Sequence, residues 1–142
     1  MYASVAHIVL LSLLLNGGTT FFSENYIGKD KIYIEQHIKE NHKTLKLNTT
    51  STNTTYNYLK FEDRINEITV LFFLSDKNKC TLVRLMSDYS NINDMLYELD
   101  QAYTKTDKNS WKFADKGTGY SVKLDEGDWF FTITIREESS TY

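Results

Sequence analysis

The sequence predicts an α+β fold, with two helices packed on one face of a mostly antiparallel sheet of six to seven strands. Three observations predict it. The segment 119–136 holds two runs that alternate apolar and polar about the turn Asp125, Glu126, Gly127 and Asp128, which is a hairpin pattern. A second alternating pair lies at 56–61 and 67–75. Two segments, 29–41 and 92–103, repeat their apolar residues at helical spacing instead.

The elements follow in order. Residues 1–23 carry an apolar run from Val5 to Leu15 and then Asn16, Gly17 and Gly18. The run is short for a bilayer span and suits the apolar core of a secretory leader. No Lys or Arg precedes it and no Ala-x-Ala site follows, and a buried N-terminal helix or strand is the competing reading. Gly18 stands where a lipoprotein signal would place its cysteine, so no lipid attachment is expected. The expected organisation is a leader over 1–23, one domain over 24–138 and a polar tail over 139–142. Export to the periplasm or cell envelope follows, with membrane contact only through the leader.

In the first helix, Ile27, Ile34 and Ile38 form one stripe, with Asp30 near its start and Lys39 near its end to suit the helix dipole. His37 and His42 are five apart and do not share a helical face, so they are read as solvated side chains and not as a metal pair. The Thr/Asn/Ser stretch 48–55 reads as a polar loop, and its two Asn-x-Thr tripeptides are expected by chance in such composition. Next, Leu59 and Phe61 share one face of a strand, with Tyr56, Tyr58 and Lys60 on the other. Residues 62–66 turn, and Ile68, Val70, Phe72 and Leu74 then oppose Thr69, Leu71 and Phe73. Residues 80–86 return as a strand. Strands apolar on both faces are expected centrally in a sheet.

In the second helix Ile92, Met95, Leu96, Leu99 and Tyr103 fall on one stripe, capped by Ser90 or Asn91. A short strand at 110–113 leads to the closing hairpin. There Tyr120, Val122 and Leu124 share a face, as do Trp129, Phe131, Ile133 and Ile135, while Phe130, Thr132, Thr134 and Arg136 take the other side. The hairpin at 58–74 overlays that at 120–135, which suggests two helix-plus-strands repeats, the first with one extra strand. The ribbons near 68 and 129 are expected side by side.

Composition narrows the function. A net charge of −3 over 142 residues gives no reason to expect nucleic acid, which wants a basic patch. Proline is absent, so turns rest on Gly, Asn and Asp. Cys80 is the single cysteine and excludes an intrachain disulfide; its alternating segment reads as core. No phosphate loop, nucleophile elbow or metal-spaced cluster is present, and the acids at 125–128 sit in a turn, so neither catalysis nor a cofactor is expected.

Residues 24–137 resemble small uncharacterised exported proteins of Bacteroides-type bacteria, through Tyr26, Ile27, Gly28 and Lys29 before the first helix and the run from Trp129 to Ile135. The helix-then-sheet order more loosely resembles the β-lactamase-inhibitor-protein and SmpA-like lipoprotein folds, which begin each repeat with a helix pair where one helix is visible here. Both resemblances imply binding proteins without catalytic residues. The residues themselves point to Tyr56, Tyr58, Leu71, Phe73 and Phe130 as aromatic and apolar side chains on the face away from the helices. They would serve an exported protein-binding module, meeting a protein partner or a second copy. The alternative is a small apolar-ligand carrier built around an enclosed pocket.

Overall fold

A computed structural model describes residues 20–49 and 57–139. It contains helices α1 (Lys31–Asn41) and α2 (Ile92–Ala102). The strands are β1 (Lys46–Leu47), β2 (Tyr58–Asp63), β3 (Ile68–Leu74), β4 (Cys80–Asp88), β5 (Thr104–Asp107), β6 (Ser110–Asp115), β7 (Thr118–Glu126) and β8 (Phe130–Glu137). All eight strands form one sheet in the order β1-β2-β3-β4-β8-β7-β6-β5, every neighbouring pair antiparallel.

One helix followed by four strands thus occurs twice, and the strand order reads the same from either edge about the β4–β8 seam. This corrects the expected overlay of the halves. By position β7 and β8 correspond to β3 and β4, not to β2 and β3, and among the described residues neither half has an extra strand. The sheet exceeds the expected six to seven strands because it includes both edges. β5 is Thr-Lys-Thr-Asp, exposed throughout, and β1 is two exposed residues. Such strands are held by backbone hydrogen bonds and leave no hydrophobic period to read. The ribbons near 68 and 129 lie in one sheet but are not adjacent, since β4 separates them. Like β3, β4 presents apolar side chains on both faces, Val83 and Leu85 against Leu82 and Met86.

One face of the sheet is the core. Register places Phe61, Val70, Leu85, Ile133 and Leu124 in one row, and Leu59, Phe72, Val83, Ile135, Val122 and Trp111 in the next. All of these are buried, together with Ile34 and Ile38 of α1 and Met95 and Leu99 of α2 in the same cluster. Both helices therefore cover this one face. Asp30 caps α1 by accepting from the Tyr33 N–H at 2.8 Å. At α2 the expected Ser90 or Asn91 oxygen is not used. Asp88 accepts from the Ser90 N–H at 2.9 Å and opens a short 3-10 turn, Tyr89–Asn91, that feeds the helix.

A further 3-10 turn, Phe21–Ser23, lies between the helices. Phe22 is buried in the core, and the Phe21 ring sits 5.3 Å from Tyr26 and 6.3 Å from Phe72. The expected boundary after Ser23 therefore falls inside packed structure, and the folded unit includes Phe21 and Phe22. The apolar run of the expected leader lies outside the described residues, as does the tail beyond 139.

Candidate interaction face

Among the described residues, the other face of the sheet carries no helix. Strand pairing orders its side chains into rows. The first runs Tyr58, Phe73, Leu82, Arg136, Ser121, Lys112. The second runs Lys60, Leu71, Arg84, Thr134, Lys123, Ser110. The third runs Glu62, Thr69, Met86, Thr132, Asp125, and Asp88 beside Phe130 starts a fourth. These residues are half-buried or exposed, in contrast to the core rows between them.

Three of the expected side chains come together. Tyr58 and Phe73 are direct cross-strand partners with ring centroids 6.1 Å apart, and Leu71 is one row over. The Arg84 guanidinium carbon lies 5.8 Å from the Phe73 ring centroid, within reach of a cation–π contact. Leu82 extends the patch on the β4 side. Tyr56 lies outside the described residues. Phe130 shares the face but not the patch: it pairs with Asp88, six residues along β4 from Leu82, about 20 Å away.

Phe130 has a different companion. Trp129 was expected on the core face with Phe131, but it precedes β8 in the turn and is 84% exposed, beside Phe130 at 46%. The turn itself is pinned. The Gly127 N–H donates to the Phe130 carbonyl at 3.0 Å, and the Tyr89 hydroxyl donates to the Gly127 carbonyl at 2.6 Å. A Cβ on Gly127 would stand 2.7 Å from the Phe130 oxygen, so the closed turn needs glycine. Trp129 and Phe130 border a shallow hollow of about 310 Å³ with Thr69, Met86 and Asp88. Leu82, Arg84, Met86 and Trp129 are face residues that sequence reading missed. A strand's two-residue period puts the first three on one side of β4; which neighbours they meet depends on pairing register.

On the helix side, a cleft of about 470 Å³ lies between the helices and is lined by Phe21, His42, Asp63, Asp94, Met95 and Glu98, among others. The histidines are packed rather than solvated, which corrects that expectation. His37 Nδ1 lies 3.2 Å from the Tyr26 hydroxyl, and the His42 ring is 5.7 Å from Phe21 and 6.0 Å from His37. Burial, then the neighbouring His37, lowers the His42 pKa, and its Nε2 has no hydrogen-bond partner among the described residues. Burial also raises the Glu98 carboxyl, with Asp94 adding to it. The Tyr26 and Tyr103 hydroxyls are pushed up chiefly by burial.

Cys80 is buried as expected, its Sγ 3.6 Å from the Leu82 carbonyl oxygen. Burial pushes its thiol up to about 12. A thiol reagent near pH 8 should therefore leave the native protein unlabelled and modify it fully in denaturant. Rapid labelling of the native state would contradict this burial. Among the described residues, no group of three or more His, Cys, Asp or Glu is placed to hold a metal. Nor is any helix there long and apolar enough to cross a membrane.

No family model, curated protein or solved structure matches this chain. The resemblances drawn above rest on the sequence alone.

Proposed function

We propose that this chain is a non-enzymatic, exported interaction module of the periplasm or cell envelope that engages a protein partner through the helix-free face of its sheet. One observation carries the reading. Both helices sit on the same side, and the side that the described residues leave uncovered holds Tyr58, Leu71, Phe73 and Leu82 as one contiguous patch. The patch side chains are half-buried; of the more exposed apolar side chains, Trp129 and Phe130 sit together at the 127–130 turn, and ones such as Ile65 at 92% are normal on any surface. A contiguous apolar and aromatic patch is the feature that marks an interface. Export is supported by the apolar run from Val5 to Leu15.

The order of one helix and four strands, occurring twice, supports reading the halves as repeats. It also centres the uncovered face on the β4–β8 seam. The carrier reading draws on the cleft between the helices, but Asp63, Asp94 and Glu98 line that cleft and make it a poor receptacle for an apolar molecule.

The test compares Leu71→Ser/Phe73→Ser with the helix-side control Ile32→Ser in pull-downs from the native envelope fraction. The face variant should stay folded and lose the captured protein, and the control should retain it. Equal capture by both would remove the face from the account.

A further inference from the structure

We propose that the partner presents an acidic protein surface, recognised by Arg84 and Arg136 at the middle of the sheet beside the aromatic patch. The inference rests on the interaction reading above and adds the chemistry of the partner. From β2 to β6 the first two rows of the helix-free face contain Lys112, Arg136, Lys60, Arg84 and Lys123 and no acid; the second row meets Asp107 only at the β5 edge, opposite Ser110. That central part of the face thus runs against the overall charge of −3. The three lysines are engaged: Lys60 with Glu62 at 3.1 Å, Lys123 with Asp125 at 3.5 Å and Lys112 with Glu138 at 3.1 Å. The two arginines have no ion pair among the described residues.

Arg84 lies opposite Thr134 and Arg136 opposite Leu82, which makes the arginines diagonal neighbours, about 7–8 Å apart at their backbones. Their other neighbours, Thr134 and Ser121, are short and neutral, so both guanidinium forks can be approached. An acidic side chain delivered here gains charge-assisted hydrogen bonds. An apolar side chain from the same partner can settle on Phe73, Tyr58 and Leu82 in the adjoining half of the row. Glu62, Asp125 and Asp88, lying in the rows beyond, repel a partner that is acidic throughout and fix its register.

Other occupants fit less well. Nucleic acid binding draws on many phosphate contacts, and this face has two unpaired cations flanked by rows of acids. A second copy placed by a two-fold along the strands would set the arginine rows upon each other. The footprint from β2 to β6, about 24 Å by about 20 Å, is the order of a modest protein interface.

The experiment uses the full chain, isotope-labelled, and a random glutamate–tyrosine copolymer as probe. A serine–tyrosine copolymer of equal length is the neutral match, and an oligothymidylate is the nucleic-acid match. The acidic copolymer should shift the amides of Arg84, Arg136, Phe73 and Leu82. It should bind at least about tenfold tighter than the neutral one and weaken as salt is raised from about 0.05 to about 0.5 M. Arg84→Gln/Arg136→Gln should lose that preference while still binding the neutral copolymer. Equal affinity of wild type for both copolymers on this face would overturn the acidic partner and leave the interaction face standing. Shifts confined to the helix side, or unchanged binding by Leu71→Ser/Phe73→Ser, would overturn the face itself. Tighter binding of oligothymidylate, or a face-to-face dimer in ultracentrifugation, would replace the acidic protein with that occupant.

Discussion

Trp111→Ala is expected to destabilise the protein by about 3–5 kcal/mol, a large part of the 5–15 kcal/mol typical of a whole domain. Trp111 is 1% exposed and is among the largest fully buried side chains. It stands on β6 opposite Val122 and ends the core row that begins at Leu59. Its β5 partner, Lys105, lays its ammonium 5.6 Å from the ring but is exposed and charged, so it supplies no apolar bulk to fill the gap. The indole N–H also donates to Asp100 Oδ1 at 2.8 Å, which ties the second half of the sheet to α2. Trp111→Phe keeps most of the ring and drops only this bond. Asp100 is part-exposed and can return to water, so a loss of about 1–2 kcal/mol is expected there. Denaturant unfolding of the three proteins measures both numbers. A Trp111→Ala variant within about 1 kcal/mol of wild type would mean that β6 does not close the core.

The second large effect is at Asp63, an acid that is 4% exposed. Its Oδ1 accepts from the backbone N–H of Ile65 at 3.2 Å and of Asn66 at 3.0 Å, and its Oδ2 accepts from Asn66 Nδ2 at 2.7 Å. Together these hold the turn between β2 and β3, where Glu67 takes a positive φ of 54°. Burial alone would raise the Asp63 pKa. Hydrogen bonds from Asn66, then Thr44 and Ile65, outweigh it and hold the carboxyl below its ordinary value. Asp63→Ala strips the acceptor from these donors and should cost about 2–4 kcal/mol. The sign with pH follows from the depressed pKa. The ionised carboxylate contributes fully above the unfolded value near 3.9, and the contribution is lost as pH falls through the folded value. Wild type should therefore converge toward the variant in acid. A gap that stays constant from neutral pH into that range would show that the charge plays no part.

Much of the fold was legible because it is written in side-chain period. Both helices carry stripes whose central residues, Ile34, Ile38, Met95 and Leu99, are buried. The faces of β2, β3, β7 and most of β8 alternate as their sequences alternate. Period says nothing about a strand of two residues or one without apolar residues, and so β1 and β5 escaped it. Nor does period say which strand lies beside which. β3 and β8 look like neighbours by composition, yet β4 comes between them and shifts the match of the halves by one strand. Trp129 continues the alternation of β8 on paper, but the closed turn at Gly127 ends the strand before reaching it. Asp63 was hidden by its type, since an acid next to a turn is ordinarily solvated. The candidate face was half legible: Tyr58, Leu71 and Phe73 came from parity alone, while Arg84 and Arg136 meet only through the β4–β8 register.

The account depends on one face of the sheet being core and the other being free, and two adjacent phenylalanines test it most directly. Phe72 is 0% exposed among Phe21, Tyr26 and Phe61, whereas Phe73 points to the opposite side beside Tyr58 and Arg84. Denaturant unfolding of Phe72→Ala should show a loss of about 3–5 kcal/mol, and that of Phe73→Ala a loss under about 1 kcal/mol. Equal losses, or the larger loss at Phe73, would mean that the face assigned to a partner is buried within the protein's own fold.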